Sequence, residues 1–172
     1  MVIVNETVNP RKMLLIGAGG IGSQVLELLT AGLRRVGLTG SITVMDGDVV
    51  ETSNLGHQRY TKADVGRPKV TCLAERLDDA NSTLRVVGDV NNLRNQGQLE
   101  GYDLVMVCVD RPEPRRLVHG LTTPWLDVRC SGDGWVVGQH GLGERWLPPV
   151  RNSGTGRAAV LRLLRYLPWF GA

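Results

Sequence analysis

Apolar residues fall along this chain in short runs separated by helical stripes and glycine-rich turns. The runs at 13–17, 41–46, 84–87, 103–109 and 125–130 have the length of buried strands. Residues 20–36 carry Ile21, Val25, Leu28, Leu29, Leu33 and Val36 at helical spacing, which predicts an amphipathic helix. Helices are also predicted over 67–80 and 112–122, with a shorter one over 92–99. Alternating strands and helices imply an α/β fold with a mostly parallel sheet and helices on both faces. Residues 134–147 break the alternation. Trp135-Val136-Val137 and Arg145-Trp146-Leu147 flank glycine-rich turns and predict a short irregular hairpin. After Pro148-Pro149, residues 152–156 read as a linker and 157–167 as a basic amphipathic C-terminal helix, with Val160, Leu161, Leu164 and Leu167 on one face. The expected division is a domain over 1–150 and a tail over 151–172.

The first strand run leads directly into Gly17-Ala18-Gly19-Gly20-Ile21-Gly22, and the second ends in Asp46. Strand, G-x-G-x-x-G, helix, strand and acid together make the nucleotide-binding half of a Rossmann-like sheet. In that reading Gly17 allows the tight turn, Gly19 lets the backbone approach a phosphate, and Gly22 lets the helix pack close to the sheet. Gly20 opens a helix whose free N–H groups suit an anion. Asp46 is placed to accept hydrogen bonds from a ribose. The plainer alternative is a glycine turn kept for packing. A dehydrogenase normally runs from this acid promptly into its next helix. Here a polar loop over 47–67 intervenes, bearing Asp48, Glu51, Asn54, His57, Arg59 and Arg67, and Lys69 follows. Such a loop suits a triphosphate and its metal better than a dinucleotide.

Several separately spaced motifs in order carry a family resemblance. G-x-G-x-x-G is followed by Asp46-Gly47-Asp48-Val49-Val50-Glu51-Thr52-Ser53-Asn54-Leu55, then Gln58, then Asp64-Val65-Gly66-Arg67-Pro68-Lys69-Val70. Tyr102-Asp103-Leu104-Val105-Met106-Val107-Cys108-Val109-Asp110, with Arg115 beyond, completes the set. The region from Met13 to Val128 resembles the ThiF/MoeB/HesA family and the adenylation domains of ubiquitin-activating enzymes. The resemblance implies binding of ATP and magnesium. It also implies adenylation of the C-terminal carboxylate of a ubiquitin-like or sulfur-carrier protein ending in Gly-Gly, with release of pyrophosphate. It implies that Gly17, Gly19, Gly20 and Gly22 shape the phosphate turn and that Asp46 holds the ribose. Asp48, Asn54, His57 and Lys69 would line the nucleotide, and Asp110 would bind magnesium. The chain departs from the pattern at His57, where the family usually has arginine. Arg59 lies two residues on and is the candidate substitute, so Asp110, Lys69 and Arg59 form the expected catalytic set. Arg111 stands where the family has asparagine. Only Arg11 precedes the first strand as a counterpart of the family's N-terminal arginine arm. The competing readings are a non-catalytic ATP-binding subunit of a heterodimeric activating enzyme and an NAD-binding oxidoreductase domain.

Composition adds limits. The chain has 172 residues and 42% hydrophobic positions, enough for one domain with a sizeable core. A net charge of +3, from 20 basic and 17 acidic residues, gives no reason to expect nucleic-acid binding. No apolar run is long enough to span a membrane and no signal-peptide core is evident, so a cytoplasmic location is expected. Cys72, Cys108 and Cys130 form no C-x-x-C pair, so no structural zinc is expected. Cys130, at a strand end, reads first as a half-buried thiol, with a nucleophile as the alternative. Trp125, Trp135, Trp146 and Trp169 crowd the C-terminal third, which points to an interface and a homodimer.

Overall fold

The computed structural model describes residues 11–131 and 134–142. Six strands form one sheet: β1 (Lys12–Ile16), β2 (Gly40–Met45), β3 (Leu84–Asp89), β4 (Leu104–Val107), β5 (Trp125–Ser131) and β6 (Gly134–His140). Their order is β3-β2-β1-β4-β5-β6. All pairings are parallel except β5 with β6. Three α-helices connect them: α1 (Gly20–Arg35), α2 (Lys69–Leu77) and α3 (Pro112–His119).

The two-residue period of a strand divides the core between the sheet's faces. Met13 and Leu15 of β1, with Leu104 and Met106 of β4, pack with the α1 and α2 side chains Val25, Leu29 and Leu73. Leu14 and Ile16, with Val105 and Val107, face the other way onto Leu99 and Val118. Helices therefore cover both faces, as the alternation predicted. Met13, Leu14 and Leu15 are fully enclosed, which is what a central parallel strand requires.

The first helix ends one residue short of its expected bound, before the last member of the core stripe. Val36 is its C-cap and is 51% exposed. Gly37 takes a left-handed φ of 70°, which suits glycine. Gly37 N–H then donates to the Arg34 carbonyl and Leu38 N–H to the Leu33 carbonyl. This Schellman closure turns Leu38 back onto the core in place of Val36.

Four other expectations change, the first being the helix over 112–122, which stops at His119 with Gly120 as C-cap. The helix over 67–80 is shorter, with Pro68 as N-cap and Asp78 as C-cap. Asp78 leaves the helix because its carboxylate accepts from Val86 N–H of β3 and pairs with Arg85. That arginine holds the Asp78 carboxyl well below the usual carboxylate range. The helix over 92–99 contracts to a 3-10 turn, Gln96–Leu99, closed by a reciprocal cap between Asn95 and Gln98. Only Leu93 and Leu99 there are buried, too little apolar surface to hold an amphipathic helix. The irregular hairpin is corrected to a full antiparallel edge strand over Gly134–His140, in register with β5 from Trp125↔His140 to Ser131↔Gly134. The remainder of that segment, the linker and the C-terminal helix lie outside the described residues.

Candidate functional site

The strand order reverses between β1 and β4, and a cleft of about 770 Å³ opens there at the carboxyl ends of the strands. Open parallel sheets place ligands at such a switch point. The Gly-rich turn forms its floor. Gly17 has φ +95° and lies against Val109, so a Cβ at that position would come within 2.7 Å of the valine Cγ1. Gly22 packs against the Gly17 carbonyl so closely that a Cβ would sit 1.7 Å from that oxygen. Gly17 and Gly22 thus set the turn's shape, while Gly19 and Gly20 present it to the cleft.

Asp46 follows β2 and its carboxylate ties two segments together. Oδ2 accepts from Ala18 N–H at 2.6 Å, and Oδ1 accepts from Asp48 N–H at 2.9 Å. Tyr60 O–H donates to the Ala18 carbonyl at 2.6 Å from the opposite side. Burial, reinforced by the Asp46 charge, pushes the Tyr60 phenol above its ordinary pKa. Lys69, at the start of α2, is 6% exposed and still reaches the cleft, with Nζ 3.1 Å from Asp48 Oδ2.

Asp110 follows β4 and is exposed on the same cleft. No ion pair engages it among the described residues. An exposed carboxylate oxygen at a strand end fits a hard divalent cation, and the fit to magnesium rests on that donor chemistry.

The cleft gathers Gly17, Gly19, Gly20, Asp46, Asp48, Lys69 and Asp110. It does not gather Asn54, His57 or Arg59. Asn54 Oδ1 accepts from Glu51 N–H at 2.9 Å and caps a short 3-10 turn, Thr52–Asn54. His57 is exposed, its carbonyl lying over Gly20. Arg59 is turned onto α1, where Nε lies 2.8 Å from Glu27 Oε2. Gln58, between them, is the side chain of this segment that lines the cleft.

Sequence reasoning named Arg115 and Cys130 but missed the acid buried where α3 packs on β5. Asp127 is 1% exposed, with His119 Nε2 at 2.9 Å and Arg129 Nε at 3.0 Å from its Oδ2. Arg115 Nε is 3.5 Å from Oδ1. Arg115 and His119 stand four apart on α3 and so share a face. That spacing, set beside an acid at an inward position of a strand, was the available signal. His119 also stacks on Trp125, with ring centroids 4.4 Å apart. Cys130 lines the cleft, but burial pushes its thiol pKa up, away from the thiolate a nucleophile needs.

Comparisons with known proteins identify the family and the fold. The family model described as "ThiF family" matches residues 5–133. A Yarrowia lipolytica adenylyltransferase and sulfurtransferase UBA4 is 35% identical over 113 residues, 63% of this chain and 27% of that protein. A Thermus thermophilus sulfur carrier protein adenylyltransferase is 38% identical over 119 residues, 66% of this chain and 42% of that protein. The chain therefore spans less than half the length of these relatives. The E. coli MccB structure with ATP superposes with a TM-score of 0.74 at 19% identity, covering 98% of this chain and 59% of that one. At that identity the likeness concerns the fold. No helix among the described residues is long and apolar enough to cross a membrane.

Proposed function

Because the chain belongs to the ThiF family, we propose that it binds ATP with magnesium and adenylates the C-terminal carboxylate of a ubiquitin-like or sulfur-carrier protein. The carrying observation is that one cleft joins the Gly-rich turn, Asp46, Lys69 and Asp110 at the β1/β4 switch point. The loop after Asp46, which includes Gln58 and leads to Lys69, supports a triphosphate over NAD.

In this reading the ribose hydroxyls hydrogen-bond to the lone pairs of Asp46 not used by Ala18 and Asp48. The N–H groups at the start of α1 face the phosphates. Lys69 supplies a fixed positive charge, already oriented by Asp48. Asp110 holds magnesium, which when bound neutralises phosphate charge. One oxygen of the acceptor carboxylate bonds to the α-phosphorus. The bond from that phosphorus to the oxygen bridging to the β-phosphate breaks, and pyrophosphate leaves with the electron pair. The acceptor is already ionised, so no general base is required. Catalysis is positioning and charge neutralisation.

A second reading, an ATP-binding subunit that completes an active heterodimer, is favoured by Arg59. Its guanidinium pairs with Glu27 and does not line the cleft. One experiment separates the two. The chain is incubated with ATP, magnesium and a small carrier ending in Gly-Gly, and the carrier's intact mass is followed. An AMP adduct with matching pyrophosphate release supports the enzyme, and ATP binding without adduct supports the subunit. As part of the same reading we place this work in the cytoplasm. Residues 1–150 serve as the adenylation domain, residues 151–172 form a tail, and the C-terminal third of the chain contributes to a homodimer contact.

A further inference from the structure

Asp127 is the most deeply buried charged side chain among the described residues. A lone carboxylate there would be strongly disfavoured, so partners are required. Two guanidinium groups and an imidazole surround it, one guanidinium more than a single negative charge needs. Arg129 and His119 crowd Oδ2, while Oδ1 has only Arg115 Nε, 3.5 Å away. That separation is an ion pair but not a hydrogen bond, and neither atom has another partner.

The far end of Arg115 explains the surplus. Its Nη2 donates to the carbonyl of Val109. The β4 strand ends at Val107, and Cys108 N–H makes the last bond to β1, at the Ile16 carbonyl. Val109 and Asp110 therefore stand beyond the ladder. Val109 is also the residue against which Gly17 packs. Arg115 thus grips the backbone at the point where the phosphate turn rests and from which Asp110 departs. His119 and Arg129 also partner Asp127 but have no bond to this segment.

We propose that Arg115 and Asp127 are positioning residues for Asp110. Asp127 anchors the Arg115 guanidinium, and Arg115 fixes the Val109 carbonyl and with it the direction from which Asp110 meets the metal. The proposal rests on the reading of Asp110 as the magnesium carboxylate. Arg115→Lys keeps the charge but cannot span both partners with a planar fork. Asp127→Asn keeps the shape and removes the anchor.

Two readouts test the idea on the full chain. Amide hydrogen exchange over residues 108–112, measured without nucleotide, should quicken about ten-fold in both variants while β1 and α1 stay as in wild type. The magnesium concentration that half-supports ATP binding should rise about ten-fold. AMP binding without magnesium should not change. His119→Gln, which removes a different partner of Asp127, should leave both readouts at wild-type values. Faster exchange spread over the whole sheet would make the cluster a matter of stability alone and overturn the proposal. An unchanged magnesium requirement in a chain loosened at 108–112 would overturn it too. A wild-type chain indifferent to magnesium would instead overturn the reading of Asp110, and the exchange data alone would then decide whether Arg115 holds Val109.

Discussion

The hydroxyl of Tyr60 donates a 2.6 Å hydrogen bond to the carbonyl of Ala18, in the middle of the Gly-rich turn. The amide of the same alanine donates to Asp46, so the turn is held on both sides of one residue. Tyr60 is 6% exposed, and no water replaces its hydroxyl easily. Tyr60→Phe should cost about 1–3 kcal/mol in urea unfolding, because the Ala18 carbonyl is left buried and unpaired. Wild-type stability in that variant would show that the turn holds itself.

The same phenol makes stability depend on pH. Burial, then the Asp46 charge, raises its pKa in the folded state. Above about pH 10 an unfolded phenol releases its proton while the folded one retains it. The contribution is whole below the unfolded value and is lost as pH rises through the folded one. Urea midpoints should fall through the alkaline range in wild type and fall less in Tyr60→Phe. Parallel declines in the two proteins would assign the alkaline loss to other groups.

Asp110→Ala should abolish the magnesium dependence of ATP binding and leave the thermal midpoint nearly unchanged, since an exposed carboxylate without an ion pair contributes within about 0.5 kcal/mol to folding. Calorimetric titrations with and without magnesium read the first effect and a thermal scan the second. Retained magnesium dependence would place the metal on other oxygens.

Gly22→Ala should be far more damaging than its size suggests. The added Cβ would meet the Gly17 carbonyl at 1.7 Å, a backbone atom that cannot yield alone. Either α1 or the turn must move, at a cost of about 1–3 kcal/mol or more. Gly19→Ala adds a Cβ with nothing within 4 Å and should fold as wild type, losing affinity only where a phosphate must approach. Equal stability losses in the two variants would contradict this division of roles.

What the sequence disclosed was local and periodic. The strand runs, the α1 stripe and the Gly-rich turn are set by neighbours a few residues apart, and each forms within a residue or two of its expected bounds, Val36 excepted. Asp46, Lys69 and Asp110 were legible because each sits at an element's end facing the cleft. Arg59 was not, since its fate depends on Glu27, one helix earlier and brought near only by the fold. The Asp127 cluster was hidden for the same reason. Arg115 was legible only as a motif position, and nothing nearby in the sequence ties it, His119 and Arg129 to one carboxylate until α3 packs on β5. The edge strand β6 was misread because its glycines resemble turn residues, whereas Gly138 sits in the ladder opposite Asp127, where a Cβ would find its neighbours at ordinary contact distance.

The account stands or falls on adenylate chemistry in this cleft. Labelled pyrophosphate should exchange into ATP when the chain is given magnesium and a small carrier protein ending in Gly-Gly, and Asp110→Ala should stop the exchange while AMP still binds. Binding of NAD in preference to ATP, with no exchange under any carrier tested, would contradict it.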